Sequence, residues 1–263
     1  MPHGQSWFSF IPGLMPNLEA LGRFLGWPVN AEGTTWVAHS SIGMQYVVGS
    51  LLVAALISVV ALRARTMVSD TAAAVVPESS LTIRTFVELF VSSVYGMMSD
   101  IMGPKAARFF LPLIGTCAFF IFFSNFLGLV PGFLPPTSVL NTTLPCALMI
   151  FITTHVFGVK EHGLAYFAHF FGPIRKWYAL PLMLLMFVIE MISHIARPAS
   201  LSIRLMANMF ADHLVVSVFL GLAPWFVPIP MMLLGVLVCV VQTLVFCILS
   251  CVYISMAIAH EEH

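Results

Sequence analysis

Two arginines, a glutamate, a histidine, an asparagine and an aspartate recur at helical spacing in a stretch otherwise made of Leu, Ile, Met, Phe and Val. Glu190, His194, Arg197, Arg204, Asn208 and Asp212 are separated by 4, 3, 7, 4 and 4 residues. At about 100° per residue they fall within an arc of ~80°, a single polar stripe along one helix. The chemistry open to such a stripe is proton handling. Carboxylates and imidazole exchange protons, whereas a guanidinium keeps its charge at any physiological pH. Arg204 has no acid at i±3 or i±4, and Asp212 is two turns away, ~12 Å along the axis. An arginine at a membrane helix centre costs about 2.5–3.5 kcal/mol on insertion scales and normally faces protein or a wet cavity. Arg204 therefore needs an anion, and its own helix does not supply one. Arg197 is less demanding, with His194 one turn and Glu190 two turns away, and a purely structural or snorkelling role suits it better than Arg204.

The solvent of this stripe follows from composition. Of 263 residues, 60% are hydrophobic and 8% charged, against about 25% charged in soluble domains. The mean hydropathy is +0.99. Apolar runs of about 20 residues read as transmembrane helices, and the alternating segments of a barrel are absent. The expected fold class is an all-α polytopic membrane protein. Eleven basic and eleven acidic residues balance, with no basic block for nucleic acid and no phosphate-binding glycine loop. Cys117, Cys146, Cys239, Cys247 and Cys251 lie in apolar segments without metal-ligand spacing and read as small buried residues. The N-terminus lacks the pattern of a cleaved signal peptide.

Residues 1–36 mix aromatics with Pro and Gly and read as an extracytoplasmic, interfacial lead-in to a membrane domain over 37–263. Spans are expected at about 37–62, 109–130, 142–158, 178–222 and 228–258. The stretch from about 81 to 102 sets Phe86, Leu89, Phe90, Val94, Met97 and Met98 near one face, with Arg84, Glu88 and Asp100 elsewhere. It reads as an amphipathic helix lying on the membrane. Arg63, Arg65, Arg84, Lys105, Arg108, Lys160, Arg175 and Lys176 all fall on one side of this topology, while the opposite side holds only Arg23. The positive-inside rule then puts the N-terminus outside and the C-terminus in the cytoplasm.

The last two segments are too long for upright spans. At 1.5 Å per residue the fourth would run ~67 Å and the fifth ~46 Å, against a hydrocarbon core of ~30 Å. The fourth must tilt, break near Pro198 or re-enter.

The run Ser200-Leu201-Ser202-Ile203-Arg204-Leu205-Met206-Ala207-Asn208-Met209 resembles the signature of the ATP synthase a subunit family, an Arg-Leu-x-x-Asn core among aliphatic residues. The segment from Val241-Gln242-Thr243 to Val252-Tyr253-Ile254-Ser255 is similar to that family's last helix. Pro131-Gly132-Phe133, Asn141-Thr142-Thr143-Leu144 and the closing Glu261-Glu262-His263 also fit, particularly for bacterial members. The resemblance implies an outer transmembrane helix, an amphipathic surface helix, a helical hairpin and two long tilted helices that embrace a rotating ring of c subunits.

It also implies roles. Arg204 would face the essential carboxylate of each passing c subunit, with Gln242 approaching it from the last helix and Asn208 one turn away. Glu190, with His194 in the same stripe, would serve the cytoplasmic half-channel. His213, about 180° from Arg204 around the helix, would serve the outer one, with Ser124, Asn125, Ser138 and Asn141 lining it. The chain would be a non-catalytic, proton-translocating stator subunit in a bacterial inner membrane, without cofactor or metal, in contact with the c ring, the b subunits of the peripheral stalk and the remaining synthase subunits. Two positions depart from the family pattern. Asp212 stands where many members have a small residue, and Gly235 replaces a polar or titratable group seen in some. Asp212 and His213 are expected to supply outer-channel titration together. Competing readings are a secondary transporter or channel with a substrate-binding arginine, and a structural subunit of a respiratory complex. Inverted repeats or paired broken helices would support the first, and none is visible. His155, His162, His169 and the terminal histidines read as interfacial or solvated groups.

Overall fold

The computed structural model describes residue 20 and residues 40–68, 82–130, 132–163, 166, 180–222 and 228–258. The N-terminal lead-in apart from residue 20, the loop expected over 66–80 beyond residue 68, most of the linker to Lys176 and the terminal Glu-Glu-His lie outside the described residues.

Five helices make up the described chain: α1 (Ser40–Val68), α2 (Ile83–Gly128), α3 (Leu140–His162), α4 (Leu180–Leu222) and α5 (Pro228–Ile258), with a 3₁₀ turn at Pro136–Ser138 before α3. Each is long and apolar enough to cross a membrane.

Helix α2 opens on Thr82, whose hydroxyl accepts a bond from the Thr85 amide at 3.4 Å, an N-cap that satisfies one of the orphan donors of the first turn. It then breaks at Gly103, with φ 80° and ψ 159°, a conformation open essentially to glycine alone. Pro104 follows and disfavours helical dihedrals in the residue before it. The break divides the amphipathic stretch, now residues 83–102, from the span that follows. The two limbs lie side by side: the Phe90 ring stands 4.2 Å from that of Phe119, and Phe86 6.3 Å from Phe122. Aromatic rings of the second limb thus cover part of the apolar face of the first, while Leu89 stays exposed. Arg84, 5% exposed, is neutralised one turn on by Glu88 at 2.7 Å.

The core joins α2, α3, α4 and α5. Ile114, Cys117, Ala118 and Ile121 of α2 belong to one cluster with Ala147 and Ile150 of α3, Leu201 and Leu205 of α4, and Phe246, Cys247, Cys251 and Ile254 of α5. Many of these are small. Lipid tails are as apolar as leucine, so helices in a bilayer associate through close packing, and small side chains permit it. Helix α1 docks more lightly, its Gly49 facing the Pro136 ring with room for little more than a hydrogen; Leu51, Val59 and Leu62 stay exposed and suit a lipid surface.

Helix α4 runs 43 residues with Pro198 inside it and without a break. At 1.5 Å per residue it is ~64 Å long, far more than the ~30 Å core. Of the three options open to it, a break near Pro198 is not taken. A continuous helix of this length has to run far from the membrane normal, and that exposes a long flank to whatever lies beside the chain.

Candidate functional site

Along α4 the positions Leu201, Leu205 and Met209 form the inward seam, 2%, 0% and 3% exposed. The adjoining flank, with Ile203, Arg204, Ala207, Asn208, Phe210 and Ala211, is exposed. Beside it α5 presents Leu237, Val240, Val241 and Leu244, also exposed. The result is a broad apolar face with one permanent charge in it. Among the described residues Arg204 meets no acid and no hydrogen-bond acceptor. In hydrocarbon such a charge requires a partner, and the described residues of this open flank supply none.

One turn on, the Asn208 amide Nδ2 donates to Gln242 Oε1 at 2.7 Å. Gln242 is 4% exposed, so α5 supplies a buried acceptor that ties it to α4 beside the arginine. Gln242 thus bonds Asn208, one turn from Arg204.

A further turn on, Asp212 reaches toward α5. A Cβ built on Gly235 would stand 3.0 Å from Asp212 Oδ2 and 2.6 Å from Leu129 Cδ2. The two departures from the family pattern are therefore one feature: the carboxylate at 212 takes the space that a side chain at 235 would fill. His213 lies close enough to Asp212 for their charges to interact, and it is half-buried.

The other end of the stripe has a different neighbour. His194 Nδ1 lies 2.9 Å from the Glu190 carbonyl and 3.3 Å from its carboxylate Oε1. The His155 ring of α3 packs edge-on against that of His194, with centroids 5.3 Å apart. Arg197 sits 5.6 Å above the Tyr253 ring of α5, so its charge is held by a cation–π contact. Tyr166 stands edge-on to His155 at 5.9 Å, admitted by Gly158, where a Cβ would come 2.6 Å from the Tyr166 ring. Burial pushes the Tyr166 hydroxyl above the usual tyrosine range, with Arg197 opposing and Glu190 adding to the effect; it is a neutral group at physiological pH. His155, His194, Arg197 and Tyr253 line a small cavity that also touches Thr154, Pro198 and Leu201. His155, expected to be interfacial or solvated, belongs to this cluster. Its apolar surroundings in the sequence hid its partner, which only the packing of α3 on α4 supplies.

A third polar group gathers at the far end of the α2–α3 hairpin. Thr137 Oγ1 donates to Asn125 Oδ1 at 2.6 Å, Ser138 Oγ donates to the Pro135 carbonyl at 2.8 Å, and Tyr46 of α1 lies near the Ser138 side chain. Ser124 Oγ and Asn125 Nδ2 are buried without a partner among the described residues. Buried polar atoms of this kind are normally served by water. Asn141 is exposed and stands outside this buried group. Thr137 and Tyr46 are additions that the sequence did not single out.

Fold and site together define a class: a polytopic α-helical membrane protein with a fixed cation on an open apolar face, flanked at its two ends by separate polar clusters. The family model described as ATP synthase A chain matches residues 47–255. The chain is 44% identical over 266 residues to ATP synthase subunit a of Sorangium cellulosum (strain So ce56), covering 100% of both chains. It is 48% identical over 181 residues to ATP synthase subunit a 2 of Syntrophotalea carbinolica, covering 69% of this chain and 74% of that one. With ATP synthase subunit a of Geobacter sulfurreducens the figures are 47% over 173 residues, 66% and 73%. The chain belongs to the ATP synthase A chain family.

Proposed function

We propose that this chain is the proton-conducting stator subunit of the membrane sector of a rotary ATP synthase, the part against which a ring of c subunits turns. The observation that supports this most is Arg204, a charge with no anion among the described residues, set on an open face beside the Asn208–Gln242 bond. Nothing in the fold or the comparisons favours the secondary-transporter reading.

The physics of coupling follows from two opposed effects on one carboxylate. A carboxyl group carried through lipid is held neutral, because burial penalises its charged form. Beside a guanidinium the same group is driven to ionise. Protons delivered on one side of Arg204 and released on the other then have to travel with the ring. Arginine also resists becoming a carrier itself, whereas burial lowers a lysine's pKa enough to free its proton.

In this reading Glu190 and His194 serve the cytoplasmic half-channel. Asp212 and His213 serve the outer one, approached past Ser124, Asn125, Ser138 and Asn141. The chain is non-catalytic by itself and sits in a bacterial inner membrane, N-terminus outside and C-terminus in the cytoplasm. It contacts the c ring, the b subunits of the peripheral stalk and other synthase subunits. Mild detergent extraction with a tag on this chain should recover a ring of small hairpin proteins in stoichiometric amount. Recovery of the chain with no such ring under conditions that keep other membrane complexes intact would overturn the reading.

A further inference from the structure

The folding of α2 back on itself leaves a groove between its two limbs. Val91 and Val94 line it on one side and Leu111, Pro112 and Gly115 on the other, around a cavity of about 240 Å³. The Phe90 and Phe119 rings, in contact at 4.2 Å, close its far end. Gly115 keeps the groove open: a Cβ there would touch only Leu111 Cδ1, at 3.9 Å, so a longer side chain would have this space to fill. The lining offers little to water. Its one hydroxyl, Thr116 Oγ1, already donates to the Pro112 carbonyl, and a cavity without free polar partners stays dry and accepts apolar matter. Pro112 and Thr116 are exposed, so the groove opens on the surface of the chain, where hydrocarbon is the solvent.

The near end of the groove carries charge. At about 100° per residue Leu111, Pro112, Gly115, Thr116 and Phe119 span ~140° of the second limb, and Lys105 and Arg108 fall within the same arc. Tyr95, one turn after Val91 on the first limb, meets Arg108 across the gap, the guanidinium Nε donating to its hydroxyl at 3.3 Å. That bond uses one of five guanidinium N–H donors. Lys105 and Arg108 are exposed and make no ion pair among the described residues, with Asp100 or any other acid. Both precede the apolar run from about 109 to 130, and on the orientation proposed above they face the cytoplasmic leaflet, whose anionic lipids attract basic side chains.

We propose that this groove binds one anionic phospholipid, with an acyl chain between the limbs of α2 and the headgroup phosphate held by Arg108 and Lys105. Arg108 can engage two phosphate oxygens at once, and Tyr95 fixes the guanidinium for it. A neighbouring apolar helix would fill the groove but leave both cations without an anion; a phospholipid satisfies the two parts together. The bound chain completes the packing between the limbs that the Phe90–Phe119 contact begins.

The test uses the assembled synthase in vesicles containing a trace of phosphatidylglycerol with a photoactivatable diazirine halfway along one acyl chain, or the matched phosphatidylcholine. After irradiation, labelled peptides of this chain are mapped by mass spectrometry. The parent should be labelled between Val91 and Phe119 on both limbs, with phosphatidylglycerol favoured by about 5-fold for each of the two cations. Leu51 of α1, exposed and about three turns from Arg63, should be labelled equally by both lipids. K105Q and R108Q should each lower the groove's preference by about 5-fold, and Gly115→Leu should remove groove labelling by either lipid. Equal labelling of the parent groove by the two lipids would overturn the proposal. So would a groove without label while Leu51 is labelled, the result expected if another subunit covers it. Both outcomes are read on the parent and do not depend on how well a variant assembles. An undiminished preference in a K105Q/R108Q complex would also overturn it.

Discussion

An Arg204→Ala complex is expected to assemble normally and to lose proton-driven ATP synthesis. Assembly should survive because Arg204 is exposed and makes no hydrogen bond or ion pair among the described residues; the packing seam is Leu201, Leu205 and Met209. Synthesis should not survive because the residue's contribution is electrostatic. A cation beside a carboxyl group lowers its pKa by about 1–3 units, so removing it reduces the ionised fraction of the passing carboxylate by about 10- to 1000-fold at a given pH. The ring carboxyl would then pass the stator without releasing its proton. Arg204→Lys should also fail, because an amine in this apolar face can itself deprotonate. ATP synthesis in energised vesicles, normalised to assembled complex, measures both. Near-parental synthesis by the alanine variant would remove Arg204 from the mechanism.

Asp212→Asn carries the second largest expected effect. The substitution preserves shape and most hydrogen bonding but cannot carry a proton. The Asp212 carboxylate occupies the space over Gly235, 3.0 Å from where a Cβ would stand. If Asp212 and His213 share proton transfer at the outer half-channel, the asparagine variant should slow ATP-driven proton pumping by about 10- to 100-fold, below the about 10²–10⁴-fold typical of a lone acid–base group because His213 remains. What activity is left should follow the titration of His213 alone. Pumping unchanged over the whole pH range would take Asp212 out of the path.

Much of the fold was legible because the bilayer limits what a chain can do. Apolar run length marks spans, and the length of the segment ending at 222 left it to tilt, break near Pro198 or re-enter. Gly103-Pro104 falls in the gap between the expected stretches 81–102 and 109–130. The folding back of residues 83–102 on the rest of α2 was not legible, because Phe86 and Phe122 meet only through tertiary packing. The isolation of Arg204 could be read from spacing alone, since helical neighbours are local. The fate of the rest of the stripe could not. Glu190 through Asp212 share one face of α4, yet that face meets α3 at His194, is open at Arg204, and meets α5 at Asn208 and Asp212. A long helix changes neighbours along its length, and periodicity carries no information about which neighbour comes next. His155 was misread for the same reason.

The central claim is that the open face around Arg204 lies against the c ring, and proximity tests it most directly. The five free cysteines would first be replaced by small residues, and single cysteines then placed at Ala207 and Ala211, both exposed on the arginine flank, and at Leu51, 65% exposed on α1. A second cysteine goes one turn from the essential carboxylate of the c subunit. Oxidation is expected to yield disulfide-linked a–c dimers from positions 207 and 211 and none from 51. Cross-linking from Leu51→Cys with none from the arginine flank would contradict the placement of Arg204 and the mechanism built on it.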